Sequence, residues 1–524
     1  MADFLTKLTE INNAINSFVW VKIGLVLLLG TGILMTVMTK FFQISHLGHW
    51  WKKTIVGVFQ KDTHNKTGKG SVSQFQALCT ALAATIGTGN IAGVSAAIVV
   101  GGPGAVFWMW LAAFFGMMTN FSENVLGIYY RRKNKAGEWS GGPMYYLKDG
   151  LGKIKKNGFC EGAGSVLAVL FSIFALLASF GIGNMGQINK ITLNLQSAFF
   201  KNVDAPVLYG EGESAVTVVS VVIGVVLMIL AGLIIIGGLE RIAAVAERIV
   251  PFMAIAYVAG ALVILFANIS QIGAIFSAIF KFAFGIKAVE GAVVGVAIKE
   301  VITQGCKRGV FSNEAGLGSS VMVHSNSNVK EPVKQGMWGI FEVFADTFVV
   351  CTMTAIVVLS SGCIDLATGA VAEGVNDATL VQQTFGQVFG RLGAGFGRFG
   401  EMFIAVAILL FAFTTVLGWS HYGGKAAEYL FGIGGAKVYR VIFVLMIISG
   451  SLMTSSLAWD ISDTFNALMM IPNLIGVIVL SPVVVKITSN YVERKIKGKD
   501  VDPMLSYDPS IQAEFAKAVR EGEE

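Results

Sequence analysis

Residues 82–96 read Leu-Ala-Ala-Thr-Ile-Gly-Thr-Gly-Asn-Ile-Ala-Gly-Val-Ser-Ala, a glycine-rich, hydroxyl-bearing interruption inside an apolar stretch of membrane-spanning length. In a soluble protein such a run is an ordinary loop. In a bilayer, unpaired backbone amides are so costly that non-helical backbone survives only where it lines a protein-buried cavity or coordinates something. A helix broken at mid-depth is the usual sequence pointer to the binding site of a secondary transporter.

The composition is that of a membrane protein. Hydrophobic residues make up 54% of the 524 residues and charged residues only 14%, and the mean hydropathy is +0.68. Soluble domains have about 45–50% apolar and about 25% charged residues. The five cysteines are scattered, without metal-ligand or redox spacing, which favours packing roles over a disulfide framework. The net charge of +6 is explained better by membrane topology than by nucleic-acid binding.

Eleven apolar stretches are long enough to cross a hydrocarbon core of about 30 Å. We number them spans 1 to 11, and they cover residues 18–42, 73–100, 104–130, 164–199, 214–237, 242–267, 272–304, 336–361, 400–430, 437–457 and 464–487. Span 7 is the least clean because Lys281, Lys287, Glu290 and Lys299 interrupt it. The predicted fold class is therefore an all-α polytopic membrane protein with eleven transmembrane helices.

Positive charge predicts the orientation of these spans. Clusters of Lys and Arg follow spans 1, 3, 7 and 11, whereas the loops on the opposite side are poor in them or carry acids. Because all four clusters follow odd-numbered spans, they lie on one side of the membrane. The amino terminus is therefore expected outside and the carboxyl terminus in the cytoplasm, with the protein in the plasma (prokaryotic inner) membrane.

The spans divide into two halves of five, spans 2–6 and 7–11, as an inverted repeat would require. The first member of each half is interrupted by glycines, since span 7 contains Gly285, Gly291 and Gly295 and runs on to Gly-Val-Phe-Ser-Asn-Glu-Ala-Gly-Leu-Gly at 309–318. The expected divisions are 1–70 (an extra helix and a cytoplasmic interfacial helix), 71–270 and 271–488 (the two repeats) and 489–524 (a cytoplasmic polar tail).

Two predictions concern the cytoplasmic side. Residues 47–60 form an amphipathic pattern that predicts an interfacial helix with Trp50 and Trp51 at headgroup level beside two lysines. The polar tail is expected to contain a short helix near 509–521.

The interruption in span 2 has the groups for two ligands. If the helix unwinds around Ile86–Asn90, a new half-helix starts near Asn90–Ala92, and its free amides and positive end suit a carboxylate. The candidate substrate-binding residues of this segment are Thr88, Gly89, Asn90 and Ile91. The carbonyls released around Ala83 to Ile86 suit Na⁺, a hard cation that prefers oxygen. Alternatively, the small residues only let neighbouring helices approach closely.

Span 9 offers hydroxyl groups that can complete such a cation site. Thr414 and Thr415 lie in a run that begins at Phe411 and ends in Trp419 and Ser420, one turn further along. Adjacent threonines in a membrane helix often only bond the carbonyls of the preceding turn. Trp419 is interpreted as a wall of a small pocket, although a tryptophan near a span end is usually an interfacial anchor.

Spans 4 and 8 also carry polar groups in apolar surroundings. Asn184, Gln187 and Asn189 lie near the middle of span 4, and Gln187 is the best placed to reach a ligand. The alternative for each is interhelical hydrogen bonding. Glu342 and Asp346 stand four apart in span 8, on one helix face, where carboxylates should be paired, protonated or cation-bound.

Four segments carry a family resemblance. Residues 101–116, Gly-Gly-Pro-Gly-Ala-Val-Phe-Trp-Met-Trp-Leu-Ala-Ala-Phe-Phe-Gly, closely resemble the signature of the alanine/glycine:cation symporter family (sodium:alanine symporters, amino-acid carrier proteins). Ser-Gly-Gly-Pro-Met-Tyr-Tyr at 140–146, Arg-Gly-Val-Phe-Ser-Asn-Glu-Ala-Gly-Leu-Gly at 308–318 and Glu-Val-Phe-Ala-Asp-Thr at 342–347 agree with it. The matches span roughly residues 70–425.

The resemblance implies the leucine-transporter fold, with one extra amino-terminal helix before a five-plus-five inverted repeat. It also implies uptake of alanine or glycine with Na⁺, sometimes H⁺. By the same resemblance, the carboxylate segment is Thr88, Gly89 and Asn90, Gln187 and Trp419 lie near the substrate, and Asp346 is a weaker second cation ligand. The implied sodium ligands are the carbonyls of Ala83, Ile86 and Phe411 and the hydroxyls of Thr414 and Thr415.

We therefore expect a Na⁺-coupled importer of a small neutral amino acid, embedded in a lipid bilayer, with no cofactor and no nucleic-acid partner. Proton coupling, or serine or glutamine as cargo, is the alternative, and the oligomeric state is left open. A channel or a substrate-sensing receptor is a less favoured class. An enzyme is disfavoured because all five histidines are expected at or beyond span ends: His46, His49, His64, His324 and His421.

Overall fold

The computed structural model consists almost entirely of helices. It describes residues 2–65, 71–154, 158–201, 203–210, 215–284, 298–372, 375, 377–393, 395–454 and 457–521. The long helices are, in chain order, Ala2–Ser17 continued by Phe18–Gly24 and Leu25–Met38, Gln74–Thr85, Gly89–Gly93 continued by Val94–Gly101, Ala105–Tyr129, Gly158–Phe180 continued by Gly181–Met185 and Gly186–Phe199, Val218–Ile235, Leu239–Ala267, Ile298–Asn313, Pro332–Val343 continued by Phe344–Cys351 and Thr352–Leu359, Phe396–Ser451, and Leu457–Val479. Within the described residues, eight helices are long and apolar enough to cross a membrane, and one bent pair makes a ninth.

Shorter elements connect these helices. The short helices are Phe42–Ser45, Leu47–Lys53, Gly57–Phe59, Lys61–His64, Pro143–Tyr145, Tyr146–Gly150, Leu151–Lys153, Ile269–Gln271, Ile272–Ala283, Val321–His324, Asp377–Gly390, Ser481–Tyr491, Val492–Ile496 and Pro509–Arg520. Two antiparallel strand pairs join Arg132–Lys133 to Trp139–Ser140 and Val207–Tyr209 to Val216–Thr217. We call residues 132–140 the hairpin.

Span 2 is broken where its sequence predicted. Its first half, Gln74–Thr85, begins with a capping box in which the Ser73 side chain accepts from the Gln76 amide at 3.1 Å. The helix ends at Ile86, whose backbone leaves the helical region (φ −77°, ψ 88°). The second half starts at Gly89, and the two halves meet at an angle of 52°. The interruption at 86–88 is therefore a real bend in a buried helix.

Span 7 differs from its predicted bounds of 272–304. Ile272–Ala283 is a separate helix that buries Ile275 and Ile279 and exposes Phe276 and Phe280 on its other face. Residues 285–297, which hold the predicted interrupting glycines 285, 291 and 295, lie outside the described residues. Ile298–Asn313 is the first described part of the span proper.

A second interruption follows directly after Asn313. Glu314, Gly316 and Gly318 all have positive φ angles, of 56°, 93° and 75°, before helix Val321–His324 begins. Glycine is favoured at such angles because it has no Cβ. The predicted second discontinuous helix at 309–318 is thus seen as a helix that ends at Asn313.

Spans 9 and 10 form one run of 56 helical residues, Phe396–Ser451, with a non-helical residue inside it. Gly432 has φ 75° and ψ −174°, which interrupts the helix and divides it into two. A straight helix of this length would extend about 84 Å, far beyond a hydrocarbon core of about 30 Å. The glycine therefore marks the turn between two crossings.

The apolar core and the apolar outer surface are both extensive. Fully buried aromatic side chains, among them Trp20, Trp338 and Phe121, pack between the helices. Spans 5, 6 and 10 expose large aliphatic and aromatic side chains on their outer faces, such as Leu233, which is 63% exposed, and Ile255, which is 72% exposed. An apolar surface of this kind is stable against lipid rather than water.

The predicted interfacial helix is shorter than expected, and the position of one tryptophan was predicted wrongly. The helix is Leu47–Lys53, and Trp51 is 40% exposed as an interfacial residue should be. Trp50 is instead buried, donates its indole N–H to the Gln43 carbonyl at 2.9 Å and packs edge-on against Phe344. Neighbouring residues of a helix point about 100° apart, so only one of the pair can face outward.

The tail helix is confirmed at Pro509–Arg520. Asp508 caps it by accepting hydrogen bonds from Ser510, which hold the pKa of that carboxyl below its ordinary value. Phe515 packs on the Trp139 ring of the hairpin at 6.0 Å between centroids. The buried guanidinium of Arg131 lies over the same ring at 4.1 Å.

Candidate functional site

The break in span 2 is built by Asn90. Its side-chain oxygen accepts a hydrogen bond from the Gly87 amide at 2.9 Å, which satisfies a backbone donor that the lost helical turn leaves free. Thr88, Gly89, Asn90 and Ile91 are all buried here. The four predicted carboxylate-binding residues therefore lie together at the start of the second half-helix.

Gln187 is brought directly to this break. It follows a π-helical turn, Gly181–Met185, and its amide nitrogen donates to the Ile182 carbonyl at 3.1 Å. Its oxygen accepts from the Thr88 hydroxyl at 3.0 Å. Gln187 thus joins span 4 to the interrupted backbone of span 2, 99 residues away in sequence.

Asn184 and Asn189, the other two candidate amides of span 4, form hydrogen bonds between helices instead of facing the break. Asn184 donates to the Phe443 carbonyl at 2.7 Å, and Asn189 donates to the Met453 carbonyl at 3.0 Å. Both bonds tie span 4 to span 10, away from the break. Of the three candidates, only Gln187 faces the predicted site.

Three oxygen atoms of span 9 cluster beside span 2. The hydroxyls of Thr414 and Thr415 each donate to the Phe411 carbonyl at 3.0 Å, and that of Thr414 also donates to the Leu410 carbonyl. These are the back-bonds that threonine usually makes in a membrane helix. They leave the lone pairs of both hydroxyl oxygens free to accept a further ligand.

The two helices touch at backbone distance in this region. A Cβ added to Gly87 would lie 2.4 Å from the Thr415 hydroxyl oxygen, and one added to Gly418 would lie 2.6 Å from the Ala84 Cβ. Ala83 and Ile86 are fully buried on the same stretch of span 2. The predicted carbonyl donors of span 2 and the predicted hydroxyl donors of span 9 therefore come from helices in direct contact.

Asp346 lies at the centre of a third group of contacts. One carboxylate oxygen accepts from the Asn90 amide at 2.5 Å and the Ser312 hydroxyl at 3.0 Å, and the other accepts from the Thr347 hydroxyl at 2.9 Å. The side chain is completely buried. Asp346, the candidate second cation ligand, thus bridges span 8 to the breaks of spans 2 and 7.

Two residues of this group, Ser312 and Cys351, are not among the site residues predicted from the sequence. Ser312 lies at the end of the Ile298–Asn313 helix, inside the motif at 308–318 that carried the resemblance. Cys351 contacts both Ser312 and Asn90 through its sulfur, at 3.2 and 3.4 Å. A hydroxyl directly before a predicted break was the available signal for Ser312, whereas nothing in the sequence distinguished Cys351 from the other cysteines.

Trp419 is a buried residue of the protein interior. It is 2% exposed and packs edge-on against Tyr422, with 5.4 Å between the ring centroids. The alternative that it anchors the helix at a membrane surface does not match this burial.

Like His421, which is buried inside a helix, His324 does not match the expected location of the histidines. It is completely buried, with its ring nitrogens in contact with Glu342 at 3.0 Å and Gln335 at 2.5 Å. The chain re-enters the core as helix Val321–His324 after the second interruption, so the predicted bounds of span 7 ended too early. No group of three potential metal-binding His, Cys, Asp or Glu side chains occurs in the part of the chain that the structure describes.

Comparison with known proteins identifies the family. Residues 5–504 match the model of the sodium:alanine symporter family. The chain belongs to the sodium:alanine symporter family. Its apolar helices are those of a multi-pass membrane protein. The family is one of transporters rather than of enzymes.

Two curated relatives of the sodium:alanine symporter family have informative names. The sodium/alanine symporter AgcS of Methanococcus maripaludis is 42% identical over 489 residues, which cover 93% of this chain and 98% of the relative. The "Probable sodium/glutamine symporter GlnT" of Bacillus subtilis is 36% identical over 493 residues, which cover 93% and 91%.

The crystal structure of MhsT in complex with L-phenylalanine shares the fold. Its TM-score is 0.53 with 13% sequence identity, and the alignment covers 81% of this chain and 99% of MhsT. The similarity concerns the course of the chain, since identity this low carries no information on ligands.

Proposed function

We propose that this chain is a Na⁺-coupled symporter that imports a small neutral amino acid, alanine or glycine, by alternating access. The family supports amino-acid transport coupled to a cation. The contact that carries the proposal is the one between Gly87 and the Thr415 hydroxyl, where broken backbone meets the oxygen cluster of span 9.

Eleven spans in a leucine-transporter-like arrangement are part of this proposal. The nine candidate spans become ten when Gly432 divides the 56-residue helix, and Ile298–Asn313 supplies the eleventh. The proposed divisions are an extra helix and interfacial segment in 1–70, repeats of five in 71–270 and 271–488, and a cytoplasmic tail in 489–524. The Lys and Arg clusters support an external amino terminus and a cytoplasmic carboxyl terminus in the plasma membrane.

The proposed Na⁺ site lies between spans 2 and 9. Its ligands are the carbonyls of Ala83, Ile86 and Phe411 with the hydroxyls of Thr414 and Thr415. Uncharged oxygen ligands match the preference of a hard cation. Back-bonding by both threonines supports the role, because it uses the hydroxyl hydrogens and leaves the oxygen lone pairs to accept a cation.

The proposed amino-acid site lies at the second half-helix of span 2. The amides of Thr88, Gly89, Asn90 and Ile91 form the positive helix end that binds the substrate carboxylate. Gln187 supplies a polar side chain from span 4, and its bond to Thr88 supports its position at the site. Trp419 limits the size of the substrate side chain.

Coupling between Na⁺ and the amino acid follows because both bind to the interrupted helix of span 2. Ala83 and Ile86 hold the ion through the end of one half-helix, while Thr88 to Ile91 bind the carboxylate through the start of the next. A bound ion fixes the angle at which the two halves meet and so favours the conformer whose amides fit the carboxylate. Each ligand then raises the affinity for the other by the same factor.

Asp346 supports a second cation or a proton as a further coupling ion. Its carboxylate contacts Asn90 of the amino-acid site directly and accepts hydrogen bonds on both oxygens. A buried carboxylate among neutral donors must bind a cation or a proton, because an isolated buried charge is costly. Proton coupling is therefore the second candidate within the same class.

Uptake into proteoliposomes tests the proposal. Purified protein should accumulate alanine or glycine against a gradient when Na⁺ is outside, and K⁺ or choline in its place should abolish accumulation. Serine and glutamine in the same panel decide the cargo, and an inward proton gradient without Na⁺ decides the coupling ion. Downhill flux without accumulation would indicate a channel, and binding without flux would indicate a receptor.

A further inference from the structure

His324 and Glu342 form a pair of titratable side chains in the protein interior, outside the sites proposed above. His324 lies in the short helix Val321–His324, which follows the interruption after Asn313, and Glu342 lies in span 8. The imidazole Nε2 and the carboxyl oxygen Oε2 are 3.0 Å apart, and both side chains are fully buried. We call this pair the dyad. It connects the segment after the break of span 7 to span 8.

The carboxyl group of Glu342 has hydrogen-bond partners on one oxygen only. Oε2 is in contact with His324 and accepts from the Asn120 amide of span 3 at 3.1 Å. Oε1 is buried and makes no hydrogen bond within the described part of the chain. A buried carboxylate oxygen without a partner is costly, and protonation removes the charge that makes it so. The free oxygen is therefore a place for a proton.

The other side of the imidazole can satisfy either protonation state. Gln335 Nε2 lies 2.5 Å from His324 Nδ1, and Gln335 Oε1 accepts from the Ser327 hydroxyl at 3.1 Å. If the glutamine amide turns over, its oxygen accepts from a protonated Nδ1 and its nitrogen donates to the serine oxygen, because a hydroxyl accepts as well as donates. Nδ1 therefore keeps a hydrogen-bond partner whether or not it carries a proton.

The surroundings of the dyad oppose a net charge on it. A neutral imidazole beside a carboxylate carries one negative charge, and a second proton makes the pair neutral. The titratable and charged groups that face the dyad are three further buried carboxyl groups, one tyrosine and one arginine: Glu123, Glu314, Asp346, Tyr422 and Arg131. The arginine donates to three main-chain carbonyls rather than to a carboxylate. The neutral pair is therefore favoured as long as water does not reach it.

We propose that the dyad is a proton-binding site of the transporter, and that its proton is required for the segment after the break of span 7 to pack against span 8. The inference rests on the proposed function and adds a titratable site to it. An open arrangement, in which water hydrates Glu342, tolerates the carboxylate, so the packed arrangement binds one more proton than the open one. Raising the pH therefore favours the open arrangement and slows a transport cycle that must pass through the packed one.

The test is the pH dependence of Na⁺-driven alanine uptake in proteoliposomes, at equal pH on both sides of the membrane. Uptake by the parent should fall about tenfold per pH unit above a midpoint, the slope that one proton gives. Glu342→Gln has the size and the neutrality of the protonated carboxyl group, so its uptake should stay constant where that of the parent falls. Glu342→Asp keeps a titratable carboxyl group and should keep the fall.

Two further variants separate the dyad from other carboxyl groups. Glu493→Gln, the matched control, removes a carboxyl group that is 39% exposed and pairs with Lys499, and it should follow the parent at every pH. Asp346→Asn should keep the fall. A fall that is absent in Asp346→Asn but present in Glu342→Gln assigns the proton to Asp346 and overturns the inference. A parent profile that is flat between about pH 6 and pH 9 also overturns it, since that range covers most shifted histidine–carboxyl pairs.

His324→Gln gives an independent arm. The new amide can still donate to Glu342 but cannot share its proton, so the midpoint of the pH profile should move by about one pH unit or more. An unchanged midpoint refutes the role of His324. If Glu342→Gln transports nothing, this midpoint decides the inference alone. Failure of the parent protein to transport any amino acid refutes the proposed function instead, so the two failures are distinguishable.

Discussion

The Asn90 side chain joins two interrupted parts of the protein: its oxygen accepts from the Gly87 amide and its nitrogen donates to Asp346 at 2.5 Å. The first bond closes the break in span 2. The second bond connects Asn90 to Asp346 in span 8. Asp346 in turn accepts a hydrogen bond from Ser312 at the end of the Ile298–Asn313 helix. A change in the charge at Asp346 therefore acts on the backbone of the proposed amino-acid site through one side chain.

We expect Asp346→Asn to lower the number of cations moved per amino acid by one. The new amide keeps an acceptor for Asn90 or Ser312 but has lost the negative charge that holds a cation. The measurement is the reversal potential of uptake in proteoliposomes at fixed Na⁺ and alanine gradients. Asp365→Asn, on an exposed loop, is the control. An unchanged stoichiometry in a variant that still transports would refute a second coupling ion at Asp346.

Replacement of both threonines of span 9 should weaken Na⁺ binding selectively. Hydrogen-bond-like contacts to a charged group contribute about 1.5–3 kcal/mol each, so Thr415→Ala should raise the half-saturating Na⁺ concentration about 10- to 100-fold. The Thr414→Ala and Thr415→Ala double variant should lose coupling. Thr488→Ala, which removes an equivalent back-bond to Val484 in the helix after span 11, is the matched control. Equal Na⁺ affinity in the double variant and the parent would argue against the site.

Gln187→Leu should raise the KM for alanine about tenfold with little change in the Na⁺ dependence. The substitution removes the acceptor of the Thr88 hydroxyl and leaves that group unpaired beside the carboxylate site. Asn189→Leu removes an amide of the same helix that bonds span 10, and should leave the KM unchanged. If both variants raise the KM equally, Gln187 has only a packing role.

Arg131→Lys should lower the free energy of unfolding by about 3 kcal/mol, and so lower the temperature at which the solubilised protein loses monodispersity. The Arg131 guanidinium donates to the carbonyls of Ser325, Ser327 and Val329, and a lysine cannot reproduce this fork while also covering the Trp139 ring. Arg132→Lys is the control, because that side chain is 45% exposed, pairs with Asp149 and lies over the Tyr145 ring. The measure is the fraction of detergent-solubilised protein that stays monodisperse on heating, and equal loss in both variants would contradict the prediction.

The parts of the structure that the sequence predicted are those controlled by local signals. The break at Ile86 to Thr88 and the tail helix after Asp508 depend on glycines, hydroxyls and a cap within a few residues of each other. For span 7, the described helices are Ile272–Ala283 and Ile298–Asn313 rather than one stretch over 272–304, and hydropathy alone does not separate the two.

Contacts between segments that are far apart in the chain could not be predicted from the sequence. Gln187 and Asn189 lie two residues apart in span 4 and are equally polar, and only the packed structure shows that one meets Thr88 and the other Met453. Gly183 gave no signal either, since its close packing against the Trp419 side chain depends on where that distant residue lies in the fold.

The tail helix Pro509–Arg520 is connected through the hairpin to span 9, which carries the proposed sodium ligands Thr414 and Thr415. Phe515 packs on Trp139, and the carbonyl of Trp139 accepts a hydrogen bond from Lys425 at 3.2 Å, ten residues beyond Thr415 in the same helix. Glu514 beside it is exposed, so a fluorophore attached there would disturb no buried contact. Such a label, paired with one on the exposed face of helix Leu47–Lys53, would detect movement of span 9 during turnover without a modification inside the membrane.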